Sequence, residues 1–168
     1  TLEAYFQGKK ELFEGLAMNT LEKEWTEYPI LHLDLNTKKY ETTSSLNEIL
    51  NQHLEKWEAV YGDEKKERSP EERFSYMIEK ISTVTGHNVV ILIDEYDKPM
   101  LQAIGNEALL ADYRNTLKAF YGVMKSCDRY IKFALLTGVT KFSKVSVFSD
   151  LNNLMDISMS NRFTNLCG

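Results

Sequence analysis

The chain has 168 residues, of which 43% are hydrophobic and 27% charged, and its formal net charge is −5. This composition predicts one globular domain with its own core. The acidic balance argues against a dedicated nucleic-acid surface, which usually carries a basic excess. No apolar run reaches the roughly 20 residues of a membrane span. The two cysteines lack metal-binding spacing and fit the reduced thiols of a cytoplasmic protein. Because the chain starts without methionine, we expect it to be a piece of a longer protein.

The first strong elements are a strand and an amphipathic helix. The apolar run PILHLDL at residues 29–35, with alternation ending in Asp34, predicts a strand. Residues 43–62 carry apolar side chains at helical spacing and predict a helix. Ser45 and Glu48 are three residues apart, which predicts a capping box at the start of this helix.

A second helix and a buried strand follow. Ser69, Pro70 and Glu72 form a helix start signal, and Gly86 is a plausible stop. The run NVVILIDEYD at residues 88–97 has five consecutive apolar residues without alternation. Such a run is typical of a strand that is covered on both faces, as in a parallel sheet.

The remaining part of the chain predicts a loop, a helix and two strands. Pro99 and Gly105 bracket the loop, and residues 107–126 have the spacing of an amphipathic helix. The apolar run at residues 129–139 predicts a third strand, and residues 156–160 a short fourth one. This alternation of strands and helices predicts an α/β fold with an open parallel sheet.

Four polar residues follow or close the predicted strands. Asp34, Asp94, Glu95 and Thr137 all lie at the carboxyl ends of strands. Ligands of open α/β sheets bind at this edge, so we expect the four side chains to converge there. Mg²⁺ prefers a carboxylate at a fixed place while it keeps most of its waters. Asp94 on a rigid strand can supply that carboxylate, and Glu95 can orient an attacking water. An acidic turn after a buried strand remains an alternative.

Other candidates stay open on the sequence alone. Thr137 can contact a γ-phosphate or water, or simply bond its own backbone. Asp97 and Lys98 can pair locally or extend the acidic site. The segment after the third strand supplies cations that can reach phosphates or be solvated, namely Lys141, Lys144 and Arg162. The histidines have no metal-ligand spacing and are interpreted as structural. They are His32, His53 and His87. No GxxxxGKS or GxxxxGKT loop is present to cradle the phosphates.

Several segments resemble one known family. They are ILIDEYDKPM at residues 91–100 and FYGVMKSCDRYIKFALLTGVTKFSKVSVFSDLNNLMDISM at residues 120–159. Both are similar to the AAA-ATPase-like family of bacterial predicted P-loop ATPases. The opening LEAYFQGKKELFEGLAM resembles the stretch that directly follows the Walker A loop and its helix in this family. The resemblance covers residues 1–168.

The resemblance implies a partial P-loop NTPase fold of the additional-strand type. Its parallel sheet would be flanked by helices and would lack the first strand and the Walker A loop. Residues 1–168 would form one partial domain, from Walker B to the sensor region, with no second domain. Loss of a strand from mid-sheet predicts an exposed apolar slot.

The resemblance also implies functional roles. Asp94 matches the Walker B aspartate that binds the metal and its nucleotide, Glu95 the catalytic glutamate, and Thr137 the threonine that closes the next strand. Mg²⁺ and ATP are the cofactors expected for the complete domain. Full-length members resemble fusions with a nuclease-like domain. The oligomeric state stays open, and no membrane partner is expected. Without a phosphate loop, we expect this chain to be inactive by itself.

Three functions follow as hypotheses. The first is the Walker B and sensor part of an ATPase domain. The second is a non-catalytic interaction module of P-loop-like fold. The third is a metal-dependent phosphoesterase or nuclease-associated protein that uses Asp34, Asp94, Glu95 and Asp97 directly on divalent ions.

Overall fold

A three-stranded parallel sheet lies at the centre of the fold. The computed structural model describes residues 1–139, 147–148, 154–158 and 161–163. Its strands lie side by side in chain order, with β2 in the middle. They are β1 (Ile30–Asp34), β2 (Val89–Asp94) and β3 (Ile131–Leu136). The sequence prediction of an α/β fold with a parallel sheet flanked by helices is therefore confirmed.

Helices surround this sheet. They are α1 (Leu2–Phe6), α2 (Ala17–Leu21), α3 (Thr43–Tyr61), α4 (Pro70–Thr85), α5 (Lys98–Gln102) and α6 (Glu107–Ser126). Short 3-10 helices form at Lys10–Phe13, Asp128–Tyr130 and Asn161–Phe163. Within the described ranges, none of the helices is long and apolar enough to cross a membrane.

The two faces of the sheet are covered unequally. Alternate residues of a strand point to opposite faces. The face that carries Leu31, Leu33 and Ile93 belongs to the main core with α3, α4 and α6. The other face carries Val90 and Leu92, which pack against Phe6 of α1 in a smaller cluster. Coverage of both faces explains why the apolar run of β2 has no alternation.

Among the described residues, the outer edge of β3 is one of the two unpaired edges of the sheet, and the outer edge of β1 is the other. β3 pairs with β2 along one edge, and no strand among the described residues pairs with the other. Its side chains are mostly half-buried or exposed, and Phe133 is 36% exposed. The three strands are hydrogen-bonded without a gap, so the predicted apolar slot does not lie between any two of them.

Two predicted helix starts have different outcomes. Ser69 and Glu72 form the predicted capping box of α4. The helix begins at Thr43 as predicted, but the box predicted for α3 is wrong, because the capping residue lies one turn before Ser45. Thr42 is the cap, its amide donates to Ser45 Oγ at 3.2 Å, and Ser45 is therefore the third helical residue. Glu48 lies within the helix and accepts from the Ser44 hydroxyl.

Two other predicted elements are wrong. The loop expected between Pro99 and Gly105 contains α5, because proline suits the first turn of a helix and Met100 is fully buried. The fourth strand predicted at residues 156–160 is not formed over 156–158. There, the Asp156 side chain accepts from the Ser158 amide and hydroxyl and makes a local turn. Residues 159–160 lie outside the described residues.

Candidate functional site

The carboxyl ends of the three strands meet at one edge. The register of the parallel sheet places Asp34 of β1 directly opposite Asp94 of β2. The pairing of β2 with β3 continues past the strand ends. Thr137 N donates to Ile93 O and Tyr96 N donates to Thr137 O, both at 2.9 Å. The structure therefore brings together the strand ends that the sequence places at this edge.

The Asp94 carboxylate contacts side chains from both neighbouring strands or strand ends, Thr137 on one side and His32 on the other. Its Oδ1 accepts from the Thr137 hydroxyl at 2.7 Å, and its Oδ2 lies 2.9 Å from His32 Nε2. Partial burial acts to raise the pKa of Asp94, but the hydrogen bonds from Thr137 and His32 outweigh it and hold the pKa below its usual value. The side chain is still 50% exposed, so this ionised carboxylate is open to a ligand.

His32, which the sequence pattern indicates to be structural, contacts Asp94 in the structure. It lies on β1, and its Nδ1 is 3.3 Å from Glu3 Oε2 of α1. The imidazole thus stands between two carboxylates from different parts of the chain. The alternation of β1 contained a signal, since His32 shares a face with Asp34, but the contact with Asp94 depends on the register of two strands.

Glu95 has an unusual backbone conformation. Its φ is +57°, in the left-handed region that costs an ordinary L residue about 1–2 kcal/mol. Such strain persists only where the surroundings enforce it and is often found at functional sites. The residue is half-buried, and its carboxylate makes no hydrogen bond or ion pair within the described ranges. Its carbonyl accepts from Lys98 N, which starts α5 immediately after the site.

The segment after Thr137 packs closely on the segment after Glu95. Asp97 is fully buried, and its Oδ1 accepts from Val139 N at 3.3 Å. A Cβ placed on Gly138 would lie 2.6 Å from Tyr96 Cε1 and 2.7 Å from Asp97 Oδ1. Asp97 therefore joins the two strand ends beneath the site instead of extending the acidic surface.

We expect Gly138→Ala to lower the free energy of unfolding by about 1–3 kcal/mol, because the new methyl group overpacks this contact. Urea denaturation measures the change. Gly122→Ala is the matched control, since nothing lies within 4 Å of a Cβ at this position in α6. It should stabilise by about 0.5–1 kcal/mol. Equal effects of the two substitutions would contradict the close contact.

The remaining residues that the sequence suggested make other contacts. The Asp34 carboxylate accepts from the Asn36 amide at 2.8 Å, and His53 contacts the Asp34 carbonyl at 3.2 Å. His87 is exposed beside Tyr28, before β2. Arg162 lies 5.7 Å from the ring of Phe163. Lys141 and Lys144 are outside the described residues.

The donor set restricts the kind of metal that the site can hold. No group of three or more His, Cys, Asp or Glu residues with metal-binding geometry exists in the described part of the chain. A dedicated protein cage for a cation is therefore not formed there. A single ionised, half-exposed carboxylate instead suits Mg²⁺, which keeps several waters and takes further ligands from substrate phosphates.

The fold and site define an α/β protein whose parallel strands deliver an acidic pair and a threonine to one edge. The chain belongs to the family described as "Predicted AAA-ATPase", whose model matches residues 1–148. It is also similar to "Uncharacterized protein in vnfD 5'region" of Azotobacter chroococcum mcd 1, with 36% identity over 169 residues. That similarity covers 100% of this chain and 33% of the relative, so the chain spans about a third of the relative's length. No solved structure matches it.

Proposed function

We propose that residues 1–168 form the Walker B and sensor part of an ATPase domain that hydrolyses Mg-ATP. The observation that carries this proposal is the 2.7 Å hydrogen bond from Thr137 to Asp94. It joins the ends of two neighbouring parallel strands and fixes an ionised carboxylate beside the strained Glu95. Membership of the predicted AAA-ATPase family supports the same reaction.

Each residue has a defined task in this proposal. The exposed carboxylate of Asp94 would hold Mg²⁺, and Thr137 keeps that carboxylate in place. Glu95, whose carboxylate is not engaged by the described residues, orients the attacking water and accepts its proton. Bound Mg²⁺ would neutralise charge that develops on the phosphates. The three side chains thus divide metal binding, positioning and water activation among themselves.

The proposal also specifies the type of α/β fold. We infer a partial P-loop NTPase sheet of the additional-strand type, without its first strand and Walker A loop. The open edge of β3 and its half-exposed side chains support a sheet that continues with a further strand. The 168 residues contain no phosphate-cradling glycine-lysine loop, so the complete protein must supply it for nucleotide binding.

Other properties of the complete protein are also proposals. A nuclease-like domain and an oligomer would belong to the longer chain. The buried free thiol of Cys127 suits a reducing compartment such as the cytoplasm. The hypothesis of a metal-dependent phosphoesterase needs several carboxylates on one ion. It gains no support from the described residues, because Asp97 is buried and bonded to the backbone.

Calorimetry with Mg-ATP on the complete natural protein tests the proposed function. Wild-type protein should bind Mg-ATP, and Asp94→Ala should weaken binding at least about tenfold, since it removes the metal carboxylate. Asp63→Ala is the control, because Asp63 is an equally charged but exposed loop residue. If wild-type protein does not bind Mg-ATP, the proposal fails and a non-catalytic interaction module becomes the better description.

A further inference from the structure

The imidazole of His32 connects the N-terminal helix to the site. Nε2 lies 2.9 Å from Asp94 Oδ2, and Nδ1 lies 3.3 Å from Glu3 Oε2. The three residues come from α1, β1 and β2, so their contact depends on tertiary structure. The His32 side chain is 36% exposed, which places the ring at the rim of the site and not in the core.

The two partners of Asp94 together restrict its carboxylate. The last torsion of an aspartate is broad, so one hydrogen bond leaves the plane of the carboxylate free to rotate. Thr137 holds Oδ1 and His32 holds Oδ2, which fixes both oxygens at once. Mg²⁺ demands near-ideal octahedral geometry, and a fixed carboxylate lowers the cost of meeting it.

We propose that His32 is a positioning residue, which orients the Asp94 carboxylate for hydrated Mg²⁺ and is itself oriented by Glu3. The inference rests on the proposed function and adds a residue to it. The ring acts only through Asp94 and does not touch the nucleotide. Residues that orient a metal ligand typically change metal affinity or activity 10–100-fold when they are replaced.

A purely structural role predicts a different pattern. Contacts between partly exposed charged groups contribute little to stability. Replacement of His32 should therefore leave the fold intact while it changes the metal-dependent part of nucleotide binding. A structural role would instead alter binding with and without metal alike, because any distortion of the strand ends affects both.

The test compares ADP binding in the presence and absence of Mg²⁺ by calorimetry on the complete natural protein. For His32→Leu, we expect Mg-ADP affinity to fall about tenfold, with the affinity for metal-free ADP unchanged. His32→Gln should restore most of the loss, because its amide N–H can donate to Asp94. Glu3→Gln should give a smaller loss in the same direction. His87→Leu is the matched control, since His87 is exposed at the other end of the sheet.

A double-mutant cycle completes the test. If His32 acts through Asp94, His32→Leu should cause no further loss in an Asp94→Ala protein. Wild-type affinity for Mg-ADP in both His32→Leu and Glu3→Gln would overturn the inference and leave the proposed function standing. Equal losses with and without Mg²⁺ would also overturn it. Absence of nucleotide binding in the wild-type protein would reject the proposed function and this inference together.

Discussion

Glu95→Gln in the complete protein is expected to lower the rate of ATP hydrolysis at least about 100-fold, with Mg-ATP binding unchanged. Glutamine has nearly the same shape and can occupy the same half-buried place, but its amide cannot accept the proton of the attacking water. Positioned general bases contribute about 10²–10⁴-fold to rates. Single-turnover hydrolysis measures the chemical step, and calorimetry on the same protein measures binding.

The control for this substitution is Glu67→Gln. Glu67 lies in an exposed loop after α3, so the same loss of charge should leave hydrolysis unchanged there. A Glu95→Gln protein that hydrolyses ATP at the wild-type rate would remove Glu95 from the mechanism. It would leave Asp94 as the only acidic residue of the pair with a role.

The second large effect concerns the stability of the helical layer. Arg73 of α4 donates through Nε and Nη2 to Glu58 of α3 at 2.7 and 2.6 Å, and through Nη1 to Asn51 at 2.6 Å. The Arg73 and Glu58 side chains are 5% and 4% exposed. We expect Arg73→Met to lower the free energy of unfolding by about 3–5 kcal/mol, because it leaves the Glu58 charge buried without a partner. Urea denaturation measures the loss.

Two comparisons distinguish the effect of an unpaired buried charge from the effect of lost packing. Arg68→Met breaks an exposed pair with Glu72, whose closest atoms are 3.7 Å apart, and should cost less than about 1 kcal/mol. The double replacement Glu58→Met and Arg73→Met should be more stable than Arg73→Met alone, since neither charge remains buried. A double variant as unstable as the sum of its single changes would contradict the argument.

The sequence predicted the elements whose patterns are local. The unbroken apolar run of β2 and the start of α4 at Ser69 depend on neighbours a few residues away, and both are found in the structure. The Ser45–Glu48 capping box predicted for α3 is wrong because another hydroxyl residue, Thr42, caps the helix. Pro99 predicts a loop from the sequence alone, although proline is equally suited to the first turn of a helix, where the structure places it.

The candidate site also combines features that the sequence predicts with features that it does not. The convergence of Asp94 and Thr137 follows from parallel strands ending at one edge, a rule that a sequence can use. The contact of His32 with Asp94 joins residues 62 positions apart and depends on strand register. The left-handed backbone of Glu95 depends on how the chain leaves β2 for α5, and no pattern of residue types indicated it.

The left-handed backbone at position 95 favours a residue other than glutamate, whereas the proposed reaction requires the glutamate carboxylate. Glycine adopts a φ of +57° without steric cost, and asparagine adopts it more readily than glutamate. A lineage that no longer needed the carboxylate would gain folding stability by drifting to either residue. We therefore expect relatives that carry out the proposed reaction to keep glutamate at this position despite its backbone strain. Under the proposed function, the residue at this single position should distinguish relatives that use the site from those that do not.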